Sequence, residues 1–173
     1  DAGTTPADEP HYADADALQA DLAALQQALE AAGATLAAAR WLHPLQVEVD
    51  TFGLHGARLD IRDDSGVHTR TLDAVAEAIG LPTLDLGAEL LGRRPLTSAR
   101  LPLPEEARRC LDVFHTMRQV QDESGAQAAQ TYVISMCHGA DDVLRVLLLA
   151  REASLVDLAA EAPWSHLDVV PLF

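Results

Sequence analysis

Leu18, Leu22, Leu25 and Leu29 fall on one face of a 3.6-residue period, which predicts a first helix with Asp16 as its cap and Gly33 as its stop. A second helical stretch covers Ala34 to Leu42, and Pro44 suits the first turn of a third. Val47 and Val49 alternate as in a strand, so the pattern leaves Gln46 to Thr51 open between helix and strand. The apolar run Ala57 to Ile61 predicts a strand, and it ends abruptly at Arg62, Asp63, Asp64 and Ser65. Thr69 then caps a helix that turns Leu72, Val75, Ala76 and Ile79 inward and ends at Gly80. Asp85 caps a short helix ending at Gly92, and the proline- and arginine-rich stretch 93–104 is a loop. Glu105 opens a long helix through Leu111, Phe114, Met117 and Val120, closed by Gly125. Thr131 to Met136 is a second strand, Asp141 caps a helix from Asp142 to Ala153, and residues 167–173 form a third strand.

Apolar strands separated by helices predict parallel β–α units. Three such strands do not close a sheet on themselves. The expected architecture is therefore α/β, a part of a TIM-like β/α barrel with about three parallel strands and many helices. Residues 1–15, polar and proline-containing at their start, are expected to be a flexible lead, and 16–173 a single segment of the barrel. The chain starts without Met and stops in what reads as a core strand, so it is expected to be a piece of a longer polypeptide. A slice of a barrel exposes sheet edges and apolar helix faces, which predicts self-association.

Composition narrows the functions. The formal charge is −15 and no basic stripe offsets it; Arg93-Arg94 and Arg108-Arg109 are isolated pairs. Binding to a phosphate backbone needs clustered cations, so nucleic acid is excluded, and an anionic membrane surface is disfavoured for the same reason. A small anionic substrate is not, because a few well-placed arginines suffice. All 12 basic residues are Arg, and with neither Lys nor Asn in the chain, Lys Schiff-base chemistry and N-glycosylation are ruled out. No apolar run approaches the roughly 20 residues that span a bilayer. Cys110 and Cys137 lie outside any CxxC motif, which fits free thiols in a reducing cytoplasm.

The chemistry concentrates after the first strand. An Arg at a strand's C-terminal end suits bidentate binding of phosphate or carboxylate, and equally a structural ion pair to Asp60, Asp63 or Asp64. Those three carboxylates offer oxygen ligands without matching an EF-hand loop; Asp60 lies in the strand, whereas Asp63 and Asp64 suit a helix cap or solvent. His68 is a candidate general base, or else a core or capping histidine. His138 follows the second strand directly, and Ser135 lacks the GxSxG turn of a hydrolase nucleophile.

Taken together, FGLHGARLDIRDDSGVHT (52–69), GRRPL (92–96), TYVISMCHGADDVLRVLLLAREAS (131–154) and DVVPLF (168–173) resemble the central part of the phosphoenolpyruvate carboxylase family. The resemblance implies an α/β barrel wrapped in helices, with ARLDIR, TYVISM and DVVPLF as barrel strands and Gln46 to Phe52 as helix. It implies a reaction that joins bicarbonate to phosphoenolpyruvate with Mg²⁺, through carboxyphosphate and an enolate, giving oxaloacetate and phosphate. Arg62 matches the family's active-site arginine that holds the substrate oxygens, with His68 and Asp60 as further candidates. No metal ligand is implied within the chain, because the first ligand Glu would follow Phe173. The implied partners are the rest of the carboxylase chain and further copies in a homo-oligomer. The chain alone would then be inactive. Two departures stand out: Asp63 replaces the usual Gln and Asp64 the usual Glu, so that a carboxylate beside Arg62 would compete with an anion for it. An acidic, non-catalytic binding or regulatory module derived from the fold is the alternative, and a different barrel enzyme acting on an anionic substrate a third reading.

Overall fold

A computed structural model of the chain describes residues 11–173. The lead expected over residues 1–15 therefore falls mostly outside the described residues. The chain divides between Ala57 and Arg58 into two compact units.

The first unit is helical. Helix α1 (Ala15–Ala31) is followed by a short α2 (Thr35–Ala37), a π-helical turn (Ala38–Leu42) and α3 (His43–Phe52). Asp14, not Asp16, caps α1, its carboxylate accepting from Ala17 N at 2.8 Å. Asp16 instead lies in the first turn, where a carboxylate favours the helix dipole. Pro44 sits in the first turn of α3 as expected. The Val47/Val49 alternation resolves as helix: Val49 joins Leu22 and Leu42 in a small core while Val47 faces outward. On a helix, residues two apart lie about 200° apart, so one valine turns inward and the other outward, whereas a strand would put both on the same face.

The second unit carries a parallel sheet in the order β1-β2-β5, with β1 (Asp60–Asp64), β2 (Thr131–Ser135) and β5 (Asp168–Pro171). Between β1 and β2 run α4 (Ser65–Ala78), α5 (Leu86–Leu90), α6 (Glu105–Ser124) and a 3₁₀ turn (Ala126–Ala129). Between β2 and β5 run α7 (Ala140–Glu152) and a two-stranded antiparallel hairpin of β3 (Val156–Asp157) and β4 (Trp164–Ser165), which the sequence pattern does not announce. The sheet is open among the described residues, with β1 and β5 as its edges.

Strand β1 begins and ends three residues later than the apolar run predicts. Its pairing with β2 decides this: Asp60 lies opposite Thr131 and Asp64 opposite Ser135. Parallel pairing needs only backbone groups, so a strand with one uncovered face accepts charge at alternate positions. Asp64, the last strand residue, is also the N-cap of α4, accepting from Gly66 N at 2.8 Å. Thr69, expected as that cap, lies inside the helix and donates to Ser65 O. Similarly, α7 starts at Ala140 after Gly139, and Asp141 lies in its first turn instead of capping it. Gly80 ends α4 with φ +77°, its N–H bonded to Glu77 O and that of Leu81 to Ala76 O, a left-handed stop that favours glycine.

One face of the sheet is covered by α4, α6 and α7. Phe114, Tyr132, Ile134, Val146, Leu148 and Leu149 are fully buried there, and Phe114 stacks on Tyr132 at 4.9 Å. The loop after α5 is tied down by the end of α7. Glu152 accepts from Leu96 N, Thr97 N and Thr97 Oγ1 at 2.8–2.9 Å, and Arg151, ion-paired with Glu152, donates to the carbonyls of Gly92 and Arg94. The Glu152 side chain is only 3% exposed. Glu152→Ala is expected to destabilise the fold by about 3 kcal/mol, since breaking a buried pair leaves its partners unsatisfied. Hydrogen exchange at the Leu96 and Thr97 amides checks this: both should lose protection selectively, and retained protection would refute the clamp.

Candidate functional site

Alternation along β1 sorts its charges. Asp60, Arg62 and Asp64 are exposed on the face of the sheet opposite the helices, whereas Ile61 and Asp63 are half-buried toward the helices. Arg62 lies opposite Val133, which in turn lies opposite Val170, so its side chain shares a face with two valines. It sits in the middle of the strand, not at its end. Among the described residues its guanidinium has no hydrogen-bond or ion-pair partner. The ion pair that the local sequence suggests does not form: Asp60 and Asp64 lie a full strand period away, about 7 Å, and Asp63 points to the other face. The carboxylate of Asp63 accepts from Asp64 N at 2.8 Å. The three aspartates consequently do not converge on one point, and the oxygen-ligand cluster considered for them is not assembled.

The rim beyond the strand ends is built by short bonds between successive strands. Ser65 Oγ donates to Met136 O at 2.6 Å, and Cys137 N donates to Leu172 O at 2.8 Å. Met136 adopts φ +55° and is 62% exposed. A bulky non-glycine residue held in this region is strained, and such strain concentrates at functional rims. No sequence pattern flags it. His138, also at this rim, donates its N–H to Asp142 Oδ2 at 2.8 Å, and Arg145 donates to Asp142 Oδ1 at 2.9 Å. Burial pushes the Asp142 carboxyl up, but the His138 N–H and Arg145 outweigh it and hold the group below its ordinary value. A lowered carboxyl contributes stability that is complete above its ordinary pKa and lost as pH falls through the lowered one. Asp142→Asn should therefore destabilise at pH 7, with the deficit shrinking below about pH 4. Urea unfolding at both pH values checks it, and a pH-independent deficit would contradict it.

His68 is placed differently from Arg62. It is fully buried behind the sheet, its Nε2 2.8 Å from Tyr132 Oη and its ring tilted against that of Tyr132. Burial pushes its pKa down, so it is neutral at pH 7, and burial likewise pushes Tyr132 far up. Asp63, His68 and Cys110 bring one potential ligand atom each within 4.8 Å of one another. Cys110 and Cys137 are free thiols, both buried. Spacing along the chain has no means of announcing the meeting of Cys110 with residue 68, because it depends on how α6 lies on α4. Among the described residues, no helix is long and apolar enough to cross a membrane.

A model of the phosphoenolpyruvate carboxylase family matches residues 1–173. Curated relatives agree. The chain is 36% identical to the phosphoenolpyruvate carboxylase of Synechocystis sp. over 98% of its own length and 17% of the relative's. It is 38% identical to that of Gloeobacter violaceus over 96% of this chain and 19% of the relative. For the Bradyrhizobium diazoefficiens enzyme the values are 36%, 90% and 18%. The chain thus spans less than a fifth of the length of these relatives. With three parallel strands in an open α/β sheet and a family match from end to end, this chain belongs to the phosphoenolpyruvate carboxylase family.

Proposed function

We propose that the chain supplies part of the substrate-binding face of an enzyme that joins bicarbonate to phosphoenolpyruvate and yields oxaloacetate and phosphate. The observation that carries this is Arg62: an exposed guanidinium without a partner among the described residues, rooted in the central residue of a hydrogen-bonded strand. Transfer of the phosphoryl group to bicarbonate and release of an enolate both concentrate charge on oxygen atoms. A guanidinium remains protonated throughout and offers two parallel N–H donors to such oxygens. Arg62 thus binds and orients the anion and stabilises the charge that develops, without moving a proton. The strand ladder fixes its Cα, so less reorganisation accompanies binding. Asp60 shares the face, and His68, behind the sheet, does not reach it.

The family's reaction uses Mg²⁺, which takes near-octahedral oxygen ligands. The residues described do not fit that ion: Asp60 and Asp64 are separated by Arg62, and the one close group of potential ligands includes nitrogen and sulfur. No step is therefore assigned to Mg²⁺ on these residues.

An apolar groove of about 500 Å³ along the β1 edge, lined by Leu59, Ile61, Val113, Met117 and Val120, supports the rest of the carboxylase polypeptide as the partner of this segment. The free thiols are compatible with a cytoplasmic location. The alternative of a non-catalytic module rested on Asp63 beside Arg62, and that carboxylate is turned to the opposite face. The test is bicarbonate-dependent phosphate release from phosphoenolpyruvate. The full-length polypeptide carrying this chain should show it and the 173 residues alone should not. Turnover by the isolated chain would overturn the assignment of a partial site.

A further inference from the structure

We propose that Asp63, His68 and Cys110 form a binding site for a borderline-soft divalent cation of the zinc type, on the helix-covered side of the sheet and separate from the Arg62 face. Their ligand atoms already lie within 4.8 Å of one another, and three different elements, β1, α4 and α6, bring them there. Metal–ligand bonds of about 2.0–2.3 Å at tetrahedral angles separate donors by roughly 3.5 Å, so the closure needed is about an ångström. The mixed oxygen, nitrogen and sulfur set suits Zn²⁺ or Co²⁺ and is unsuited to Mg²⁺ or Ca²⁺.

An independent observation points to a ligand. His68 is fully buried, and its Nδ1 has no hydrogen-bond partner among the described residues. Its other nitrogen, Nε2, is taken up by the Tyr132 hydroxyl at 2.8 Å. In the tautomer that carries its proton on Nε2, His68 donates to Tyr132 Oη and keeps the Nδ1 lone pair free, as a metal-bound imidazole does. Burial keeps the imidazole neutral, as a ligand must be. Asp63 uses one carboxylate oxygen on Asp64 N and keeps the other available. The buried Thr71 hydroxyl lies against Cys110, where it favours the thiolate. Burial otherwise raises the Cys110 thiol to about 11, so it is protonated at pH 7 and inert as a nucleophile. Binding then breaks the S–H bond, forms a metal–sulfur bond and releases a proton to solvent, with no change of oxidation state. Asp63 is half-buried, so the site opens on its side.

The test uses the full-length polypeptide carrying this chain, stripped by a chelator and titrated with Co²⁺. A near-ultraviolet thiolate-to-cobalt band is expected at stoichiometric cobalt, with uptake of Zn²⁺ displacing it and a proton released on binding. Cys110→Ser should abolish the band, and Asp63→Gln, at a half-exposed position that tolerates the change, should weaken Co²⁺ binding at least about tenfold, the scale of losing a ligand or its support. Absence of a charge-transfer band in the unsubstituted protein would overturn the proposal. Visible cobalt bands without a thiolate contribution, which mark surface histidines, would do the same. So would a spectrum and affinity unchanged in both variants.

Discussion

Replacing Arg62 with alanine in the full-length polypeptide is expected to lower kcat/KM for phosphoenolpyruvate by about a hundred- to a thousand-fold, the loss associated with one preorganised oxyanion donor. The same substitution should change the unfolding free energy by less than about 0.5 kcal/mol, because the side chain is exposed and pairs with none of the described residues. This dissociation of activity from stability is the decisive feature. A structural arginine would lower both together, and a bystander neither. Arg62→Lys should restore charge but not the two-pronged geometry, and should recover only part of the rate. Steady-state kinetics with saturating bicarbonate, alongside urea unfolding, reads all three outcomes. A rate near that of the unsubstituted enzyme for Arg62→Ala would remove Arg62 from the site.

The largest effect on stability is expected at Phe114. Phe114→Ala should cost about 3–5 kcal/mol, the range for deleting a buried aromatic ring and leaving a cavity. Phe114 is fully buried, stacks on Tyr132 at 4.9 Å with an interplanar angle of 19°, and packs α6 against the central strand. Since domains are stable by only about 5–15 kcal/mol, this one change removes a large share of the total. The urea midpoint, followed by far-ultraviolet circular dichroism, should fall with little change in slope. A shift corresponding to less than about 1 kcal/mol would mean that the core around Tyr132 relaxes to fill the space. Because Tyr132 also orients His68, Phe114→Ala should weaken Co²⁺ binding as well.

Much of the fold is legible in the chain. Helices with an apolar stripe and a clear stop, such as α4, α5 and α6, lie close to where Leu72, Val75, Phe114, Met117 and the glycines at 80, 92 and 125 place them. Strand β2 was equally plain, since TYVIS is buried in its central positions. The misplacements share a cause. The strand expected at Ala57 to Ile61 lies at Asp60–Asp64, because an edge strand takes its register from β2 and tolerates charge on its open face. Asp16, Thr69 and Asp141 are good cap residues, yet Asp14, Asp64 and Gly139 hold those positions. Caps compete over neighbouring residues, and the direction from which the chain enters the helix decides among them.

The sequence by itself determined the family, the alternation of strands and helices, and Arg62 as the residue to test, since all three are carried by local runs and periods. Tertiary structure alone decided which way each charge on β1 faces. Local sequence made Asp63 a competitor for Arg62; the pleat separates them, because neighbours along a strand point to opposite faces. The pleat also carries Asp63 to His68 and Cys110, whose meeting depends on helices packed across tens of residues of chain, a separation no local pattern encodes.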